Sequence, residues 1–435
     1  MSDKRTFAIR TLGCRINQYE SQALREAWLA RDWIEADLER AGLVLINSCA
    51  VTGRAVQALR ALVRQARRSN PGAEIVIAGC AAQILADELA DLPGVSLVVG
   101  RGHKAGLAFY PELGPALPDS EFPPLSISHF QRARPVLKIQ DGCSHGCAFC
   151  IVPLSRGPSR SRPVADILAE VRRLLAAGHR ELVLGGINLR HFGRDLPEGI
   201  DLWDLLGLLD AELAPEWAGQ ARLRLSSLDP GQLGPKALDA LAASRLICPH
   251  LHLSLQSLAP EVLKAMNRGH YGPEDVEGFL RELAGVWPVF ALGADLLAGF
   301  PGEGERHLEE TLNAVARLPL TYAHVFPYSR RPGTRAASMP GQVAETEKTR
   351  RTRLLRELAE RKQAEFAGRL TSMERLSVAL ELAGKGKGRA GVCEYYAECW
   401  FTSAPAEAAP GSIALGRPRG VEDGRVVLDP LPAGS

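Results

Sequence analysis

The chain has 435 residues, 46% of them hydrophobic and 23% charged, with a formal net charge of +2; this leaves room for two to four soluble domains and makes any nucleic-acid surface local rather than global. No apolar run reaches membrane-spanning length and the start MSDKRTFAIR carries no signal-peptide core, so a cytoplasmic protein without a membrane partner is expected. Nine cysteines in that setting point to metal or catalysis, not to disulfides.

From residue 5 to 99 strands and helices alternate. FAIRTLG reads as a strand, residues 18–31 as an amphipathic helix and LVLINS as a strand. A helix follows over residues 53–68, then EIVIAG as a strand, a helix over residues 82–90, and VSLVVG as the last strand. This alternation predicts a small doubly wound, flavodoxin-like α/β domain over residues 1–110. Cys14 follows the first strand, Cys49 the second and Cys80 the third. The carboxyl ends of strands in an open parallel sheet share one edge, where ligands bind. The plain alternative is three buried cysteines acting as small apolar residues. Their recurrence at equivalent strand ends favours three ligands of one iron–sulfur cluster, with one iron left open.

Gly100, Gly102 and Gly106 mimic a dinucleotide fingerprint, but the helix and acidic residue it needs are missing, so a turn is expected. Residues 111–134 carry many prolines and read as an extended linker. Six βα units follow over residues 135–340, with PVLKI, RELVLGG, ARLRLSS, HLHLSLQ, FALGADLLAG and YAHVFPY as strands. Helices separate them, for example over residues 164–177 and 235–243. They predict a partial (βα)6 barrel.

QDGCSHGCAFCIVP leaves the first of these strands and spaces Cys143, Cys147 and Cys150 as C-x3-C-x2-C. Barrels place their chemistry at this carboxyl end. Three thiolates do not close the four-ligand cage of a structural zinc, unless His145 or a distant His completes it. A four-iron cluster on three cysteines instead keeps one iron free for a substrate. Phe149, Ile151 and Val152 exclude water and Gly142 and Gly146 admit backbone amides, which suits a cluster pocket. In HLHLSLQ, His250, His252, Ser254 and Gln256 alternate with leucines, which puts the polar set in the barrel interior. A metal pair on H-x-H is the alternative, without an evident Asp/His set to match it.

Arg156, Arg160 and Arg162 are read as phosphate contacts or solvated charges. Residues 341–371 hold one long charged helix, by default solvated. Residues 372–435 change to short strands and predict a small all-β, OB-like barrel. Tyr395, Tyr396, Trp400 and Phe401 stack bases or fill its core, and residues 384–389 form a basic turn. Cys248, Cys393 and Cys399 are read as structural.

The C-x3-C-x2-C loop resembles the radical S-adenosylmethionine (SAM) superfamily. TLGCRINQYES, INSCAVTGRA and IAGCAAQ resemble the N-terminal domain of its methylthiotransferases. Cys14-Arg15-Ile16-Asn17 is similar to the Cys-Lys-Val-Asn of the MtaB type, whereas the MiaB type has Gln-Met and the RimO type Pro-Lys after the cysteine. The resemblance implies two [4Fe-4S] clusters. One, on Cys143, Cys147 and Cys150, cleaves SAM; the other, on Cys14, Cys49 and Cys80, supplies sulfur. It implies SAM contacts from Gly185, Gly186, Ser254, Gln256, Gly299 and Phe300, and a TRAM-like C-terminal barrel. The long helix then gains a second reading, as a tRNA-facing stripe. The implied reaction adds a methylthio group to carbon 2 of N6-threonylcarbamoyladenosine in tRNA. The implied partners are that tRNA, a flavodoxin- or ferredoxin-like electron donor and a sulfur donor. Isopentenyladenosine or a ribosomal-protein aspartate are the alternative substrates, and a zinc- or Fe-S-containing RNA-binding scaffold is the non-enzymatic one.

Overall fold

A computed structural model describes residues 5–381, 390–405 and 409–432. The first unit runs β1 (Thr6–Thr11), α1 (Arg15–Leu29), β2 (Ile34–Glu35), β3 (Leu43–Ser48), α2 (Gly53–Ser69), β4 (Glu74–Gly79), α3 (Cys80–Ile84), α4 (Ala86–Ala90) and β5 (Val95–Val99). The five strands form a parallel sheet in the order β2-β1-β3-β4-β5, which is the flavodoxin-like order. All six residues of β3 are buried, as a strand covered on both faces requires. Under one face Trp28 stacks on Trp33 at 5.4 Å and meets the edge of Phe7 at 5.0 Å. Two helices differ from expectation. The first begins at Arg15, immediately after Cys14. The third is broken at Leu85 into two short helices, with Cys80 itself opening the first.

The proline-rich stretch that follows has no strand or helix after a 3-10 turn at Ala105–Phe109, yet it is anchored. Leu125 and Ile127 are buried in the main core, and Tyr19 donates to the Leu125 carbonyl at 2.7 Å. The second unit comprises β6 (Val136–Lys138), β7 (Gln140–Asp141), α5 (Val152–Arg156), β8 (Arg160–Ser161), α6 (Val164–Ala176), β9 (Glu181–Gly185), α7 (Leu202–Trp217), β10 (Arg222–Leu225), α8 (Pro235–Ala243) and β11 (His250–Gln256). It continues with α9 (Pro260–Ala265), α10 (Pro273–Val286), β12 (Ala291–Ala298), α11 (Glu305–Arg317) and β13 (Tyr322–Pro327). Parallel sheets β6-β9-β10 and β11-β12-β13 are joined by bridges at Leu223–Ile247 and Leu228–Leu253. The result is an open six-stranded half-barrel. Leu251, Leu253 and Leu255 are fully buried under the helices, so His250 and His252 face the lumen, as alternation demands.

The last unit is α12 (Glu345–Leu370) and the strands β14 (Leu376–Leu380), β15 (Ala390–Cys393), β16 (Glu398–Phe401), β17 (Ile413–Glu422) and β18 (Arg425–Pro430). The strands close into a barrel, β14-β15-β16-β18-β17. The helix is not simply solvated. Arg356 donates to the Val325 carbonyl at 2.8 Å, Lys362 to that of Leu318 at 2.8 Å, and buried Arg351 pairs with Glu303. It thereby covers the edge of β13, which an open sheet would otherwise expose. Phe401 is core and Tyr395 packs edge-on against Phe366. The tyrosine-rich stretch is a hairpin rather than one strand, with Tyr396 at φ +63° in its turn. Cys248, Cys393 and Cys399 are buried. The basic turn expected at residues 384–389 lies outside the described residues. Among the described residues no helix is long and apolar enough to cross a membrane.

The small barrel docks through two buried arginines of β10. Arg222 reaches the carbonyls of Ser377 and Val392, and Arg224 those of Cys393 and Glu394, at 2.8–3.1 Å. Both are held from behind by Glu181, fully buried at the start of β9.

Candidate active site

Cys14 caps α1 at the end of β1, Cys49 follows β3, and Cys80 follows β4. These are three neighbouring strands, so the three cysteines stand on one sheet edge. Cys14 and Cys49 flank the β1/β3 switch point, where this strand order opens a crevice. Gly13, at φ +96°, makes the approach possible: a Cβ there would lie 2.6 Å from the Cys49 Cβ. Asn17 braces the two strand ends by donating to the carbonyls of Leu12 and Ser48 at 2.8 and 2.9 Å. Burial pushes the Cys49 thiol up to about 11, and the neighbouring Cys80 and Cys14 add to the shift.

The second triad stands on a loop between β7 and α5. Gly142, at φ +67°, starts it, and a Cβ there would lie 1.8 Å from the Pro158 carbonyl oxygen. The Cys143 amide donates to Gly157 at 3.0 Å and that of Ala148 to Met266 at 2.9 Å, which ties the loop to α5 and to the turn after α9. Two side chains donate to the sulfurs. Asn188 reaches Cys143 Sγ and Arg268 reaches Cys147 Sγ, each at 3.6 Å. Arg268 is itself fixed by Asp229 at 3.1 Å and the Ser254 carbonyl at 2.7 Å. Donors of this kind orient cluster ligands and tune a cluster's potential. Burial pushes the Cys150 thiol up to about 12.

Three cysteines leave a tetrahedral structural zinc one ligand short. Among the described residues the one set of three His, Cys, Asp or Glu ligand atoms within 4.8 Å of one another is His252, Asp295 and His324. His145, the loop's candidate fourth ligand, is turned to the Asn267 carbonyl, 2.9 Å from Nε2.

Between the triads lies a charge network that sequence reading missed. Arg156, Arg160 and Arg162, expected as phosphate contacts or solvated charges, are all buried. Arg156 donates to Glu20 Oε1 at 3.0 Å, Asp141 Oδ1 at 2.8 Å and Asn17 Oδ1 at 2.6 Å. It thus links the helix after Cys150 to the helix after Cys14. Lys104 and Lys138 also pair with Glu20, and Lys138 with Asp141 at 2.7 Å. Burial alone would raise the Glu20 pKa, but Arg156, Lys104 and Lys138 outweigh it and hold the carboxyl well below its ordinary range. Arg162 pairs with Glu170 of α6. In the sequence the one signal was charge where a strand should be apolar, at Lys138 and Asp141.

The six residues read as SAM contacts stand towards the carboxyl end of the half-barrel. Gly185 ends β9 and Gly186 follows, with Gln140 Oε1 accepting from the amides of Ile187 and Asn188 at 2.9 and 2.8 Å. Ser254 and Gln256 are the last inward positions of β11, and Gly299 and Phe300 follow β12. Phe300 is fully buried and packs edge-on against Tyr328 at 5.9 Å, so its ring supports the rim rather than lining an open pocket.

Deeper in the lumen one histidine of the H-x-H pair, His252, joins an Asp/His set that the sequence did not reveal. His252 Nε2 lies 3.1 Å and His324 Nδ1 3.3 Å from Asp295 Oδ1. Three separate strands supply this set. Tyr396 of the small barrel and Arg15 of α1 enter the same space, with Arg15 donating to Tyr396 Oη at 2.8 Å.

A half-barrel of six parallel strands with C-x3-C-x2-C at its carboxyl rim defines a radical SAM protein. The radical SAM superfamily profile matches residues 137–315, and that of the uncharacterized protein family UPF0004 matches residues 6–100. The chain is similar to threonylcarbamoyladenosine tRNA methylthiotransferase MtaB of Aquifex aeolicus, at 35% identity over 82% of this chain and 89% of the relative. For the Bacillus subtilis protein of the same name the identity is 34%, over 82% of its length and 83% of this chain. The tRNA-2-methylthio-N(6)-dimethylallyladenosine synthase of Agrobacterium fabrum is 34% identical over 88% of each chain. Among solved structures, the radical SAM methyltransferase TsrM of Kitasatospora setae shares the fold, with a TM-score of 0.58 over 77% of each chain at 16% identity. The chain belongs to the radical SAM methylthiotransferase family, in its MtaB-type branch.

Proposed function

We propose that this protein is a tRNA methylthiotransferase that replaces the hydrogen on carbon 2 of N6-threonylcarbamoyladenosine with a methylthio group. The observation that carries the reading is the pairing of two open cysteine triads on facing units, joined through Arg156. When bound, a [4Fe-4S] cluster on Cys143, Cys147 and Cys150 with SAM supplies radical chemistry for a C–H bond too weakly acidic for a base, and a second on Cys14, Cys49 and Cys80 supplies sulfur.

The chain's own residues do the rest. Asn188 and Arg268 direct N–H groups at the sulfurs of the first triad. The turn at Gly185 and Gly186, with Ser254, Gln256, Gly299 and the backbone of Phe300, frames the SAM side. Glu20, Asp141 and Arg156 hold the sulfur-supplying edge in register with the barrel rim. The small barrel, tied to β10, is the RNA-binding element. An electron donor of the flavodoxin or ferredoxin class and a separate sulfur donor complete the reaction.

Nucleoside mass spectrometry on tRNA from a strain lacking the gene tests this. The methylthio form of N6-threonylcarbamoyladenosine should vanish and return with the gene, but not with its Cys49→Ala or Cys147→Ala variants. Loss of the methylthio-isopentenyl nucleoside instead moves the substrate to the MiaB type.

A further inference from the structure

A cavity of about 130 Å³ in the half-barrel lumen is lined by Arg15, Ser226, His250, His252, Tyr322 and His324, among others. It is bounded by all three units, since Tyr396 of the small barrel closes it beside Arg15 of the first. Arg15 directly follows Cys14 and Ser226 stands just beyond the carboxyl end of β10, whereas His250 and Tyr322 open β11 and β13, so the cavity lies within the lumen beside the first triad's helix.

Its chemistry is unbalanced. Asp295 is the carboxylate on the inward face here, and it is already engaged by His252 and His324. Tyr322 Oη is engaged by both His250 Nε2 and His252 Nδ1, at 2.8 and 2.9 Å. Three polar groups are left over. His250 is 2% exposed and its Nδ1 has no partner; the buried Ser226 Oγ also has none. Half-buried Arg15 makes one hydrogen bond among the described residues, to Tyr396, so its other donors are open to the cavity and to water. Buried polar groups are normally paired, and an unpaired set marks a place for a ligand or ordered water. Here the set is a guanidinium, a hydroxyl and an imidazole, beside the stacked faces of Tyr322 and Tyr396 at 5.1 Å.

We propose that this cavity is the subsite for the N6 substituent of the modified adenosine, and that Arg15 is a specificity-determining residue that pairs with the substituent's carboxylate. The assignment rests on the tRNA reading given above. An all-carbon N6 substituent would desolvate the free N–H groups of Arg15 and leave Ser226 Oγ and His250 Nδ1 unpaired, whereas one that carries a carboxylate and a hydroxyl satisfies them. A site built from donors rejects a substrate that lacks the matching acceptors.

The test uses the cluster-reconstituted enzyme and three anticodon stem-loop RNAs. One carries N6-threonylcarbamoyladenosine, one its threoninamide counterpart, and one the N6-dimethylallyl nucleoside. Mass spectrometry of the product gives kcat and KM separately. The unaltered enzyme should prefer carboxylate to carboxamide by on the order of 10–100-fold in kcat/KM. Arg15→Gln should bring that ratio close to one, mainly through KM, and Arg15→Lys should restore most of it. Ser226→Ala, a change too small to threaten folding, should raise KM several-fold for the two threonyl-bearing RNAs alike. Should Arg15→Gln fail to fold, Arg15→Met is read in its place. An unchanged ratio in the folded Arg15→Gln or Arg15→Met variant overturns the assignment. An unaltered enzyme that modifies only the dimethylallyl RNA overturns the substrate reading itself, a different outcome from a threonyl-specific enzyme indifferent to Arg15.

Discussion

Replacing Arg156 by methionine keeps most of the side-chain volume and deletes the guanidinium that joins the two triad-bearing units. Three good hydrogen bonds are lost, to Glu20, Asp141 and Asn17 at 2.6–3.0 Å. Breaking a buried ion pair by removing one partner costs about 3–5 kcal/mol, because a charge is left without compensation. Here the carboxylates retain other cations. Glu20 keeps Lys104 and Lys138, and Asp141 keeps Lys138 and Arg160. The expected loss is therefore at the low end, about 3 kcal/mol. For a cooperative unit of roughly 200 residues that corresponds to a fall in Tm of about 6–12 °C. Thermal unfolding of the metal-free protein, followed by circular dichroism, measures it, with Arg156→Lys as the charge-retaining control. A melting curve for Arg156→Met within about 2 °C of the unaltered protein would refute the expected loss, since that corresponds to no more than about 1 kcal/mol.

Gly142→Ala should disable the second triad alone, because the new Cβ meets the Pro158 carbonyl oxygen at 1.8 Å in a left-handed backbone conformation; iron analysis after reconstitution should show loss of about half the iron, with the share of the Cys14, Cys49 and Cys80 site kept. His191 is buried beside Ser159, and desolvation followed by the nearby Arg194 lowers its pKa to about 4. The unfolded chain, with an ordinary value near 6.5, then binds the proton first, so His191 takes stability away as pH falls from about 6.5 to 4 and adds no further loss below that. Urea midpoints across this range should fall less steeply for His191→Gln than for the unaltered protein.

How much was legible beforehand depended on the distance over which each feature is specified. Four of the five strands of the first sheet could be read because they are short apolar runs, three of them followed by a cysteine, and the strand order then brought those three ends to one edge; the two-residue edge strand β2 carries no such pattern. The lumen face of β11 followed from alternation, as did the leucines packed beneath its helices. The C-x3-C-x2-C loop needed only its own spacing. Helix boundaries were displaced by three residues at α1, where the chain turns into the helix directly after Cys14.

The arginines after the loop could not be placed. Whether Arg156 is solvated or buried depends on Asn17 and Glu20, more than a hundred residues away. The set of His252, Asp295 and His324 needs three strands in register, and no local pattern announces it. Nor does anything near Tyr396 say that it leaves its own barrel to meet Arg15. What the sequence by itself determined is the alternating βα frameworks and the placement of six cysteines on them, three after successive strands and three in one loop, because backbone periodicity and residue spacing act over a few residues. Only the tertiary structure decided which charges are buried between the triads and what lines the lumen. Those depend on how whole units pack, and a charge is paired or solvated according to neighbours that the chain supplies from far along its length.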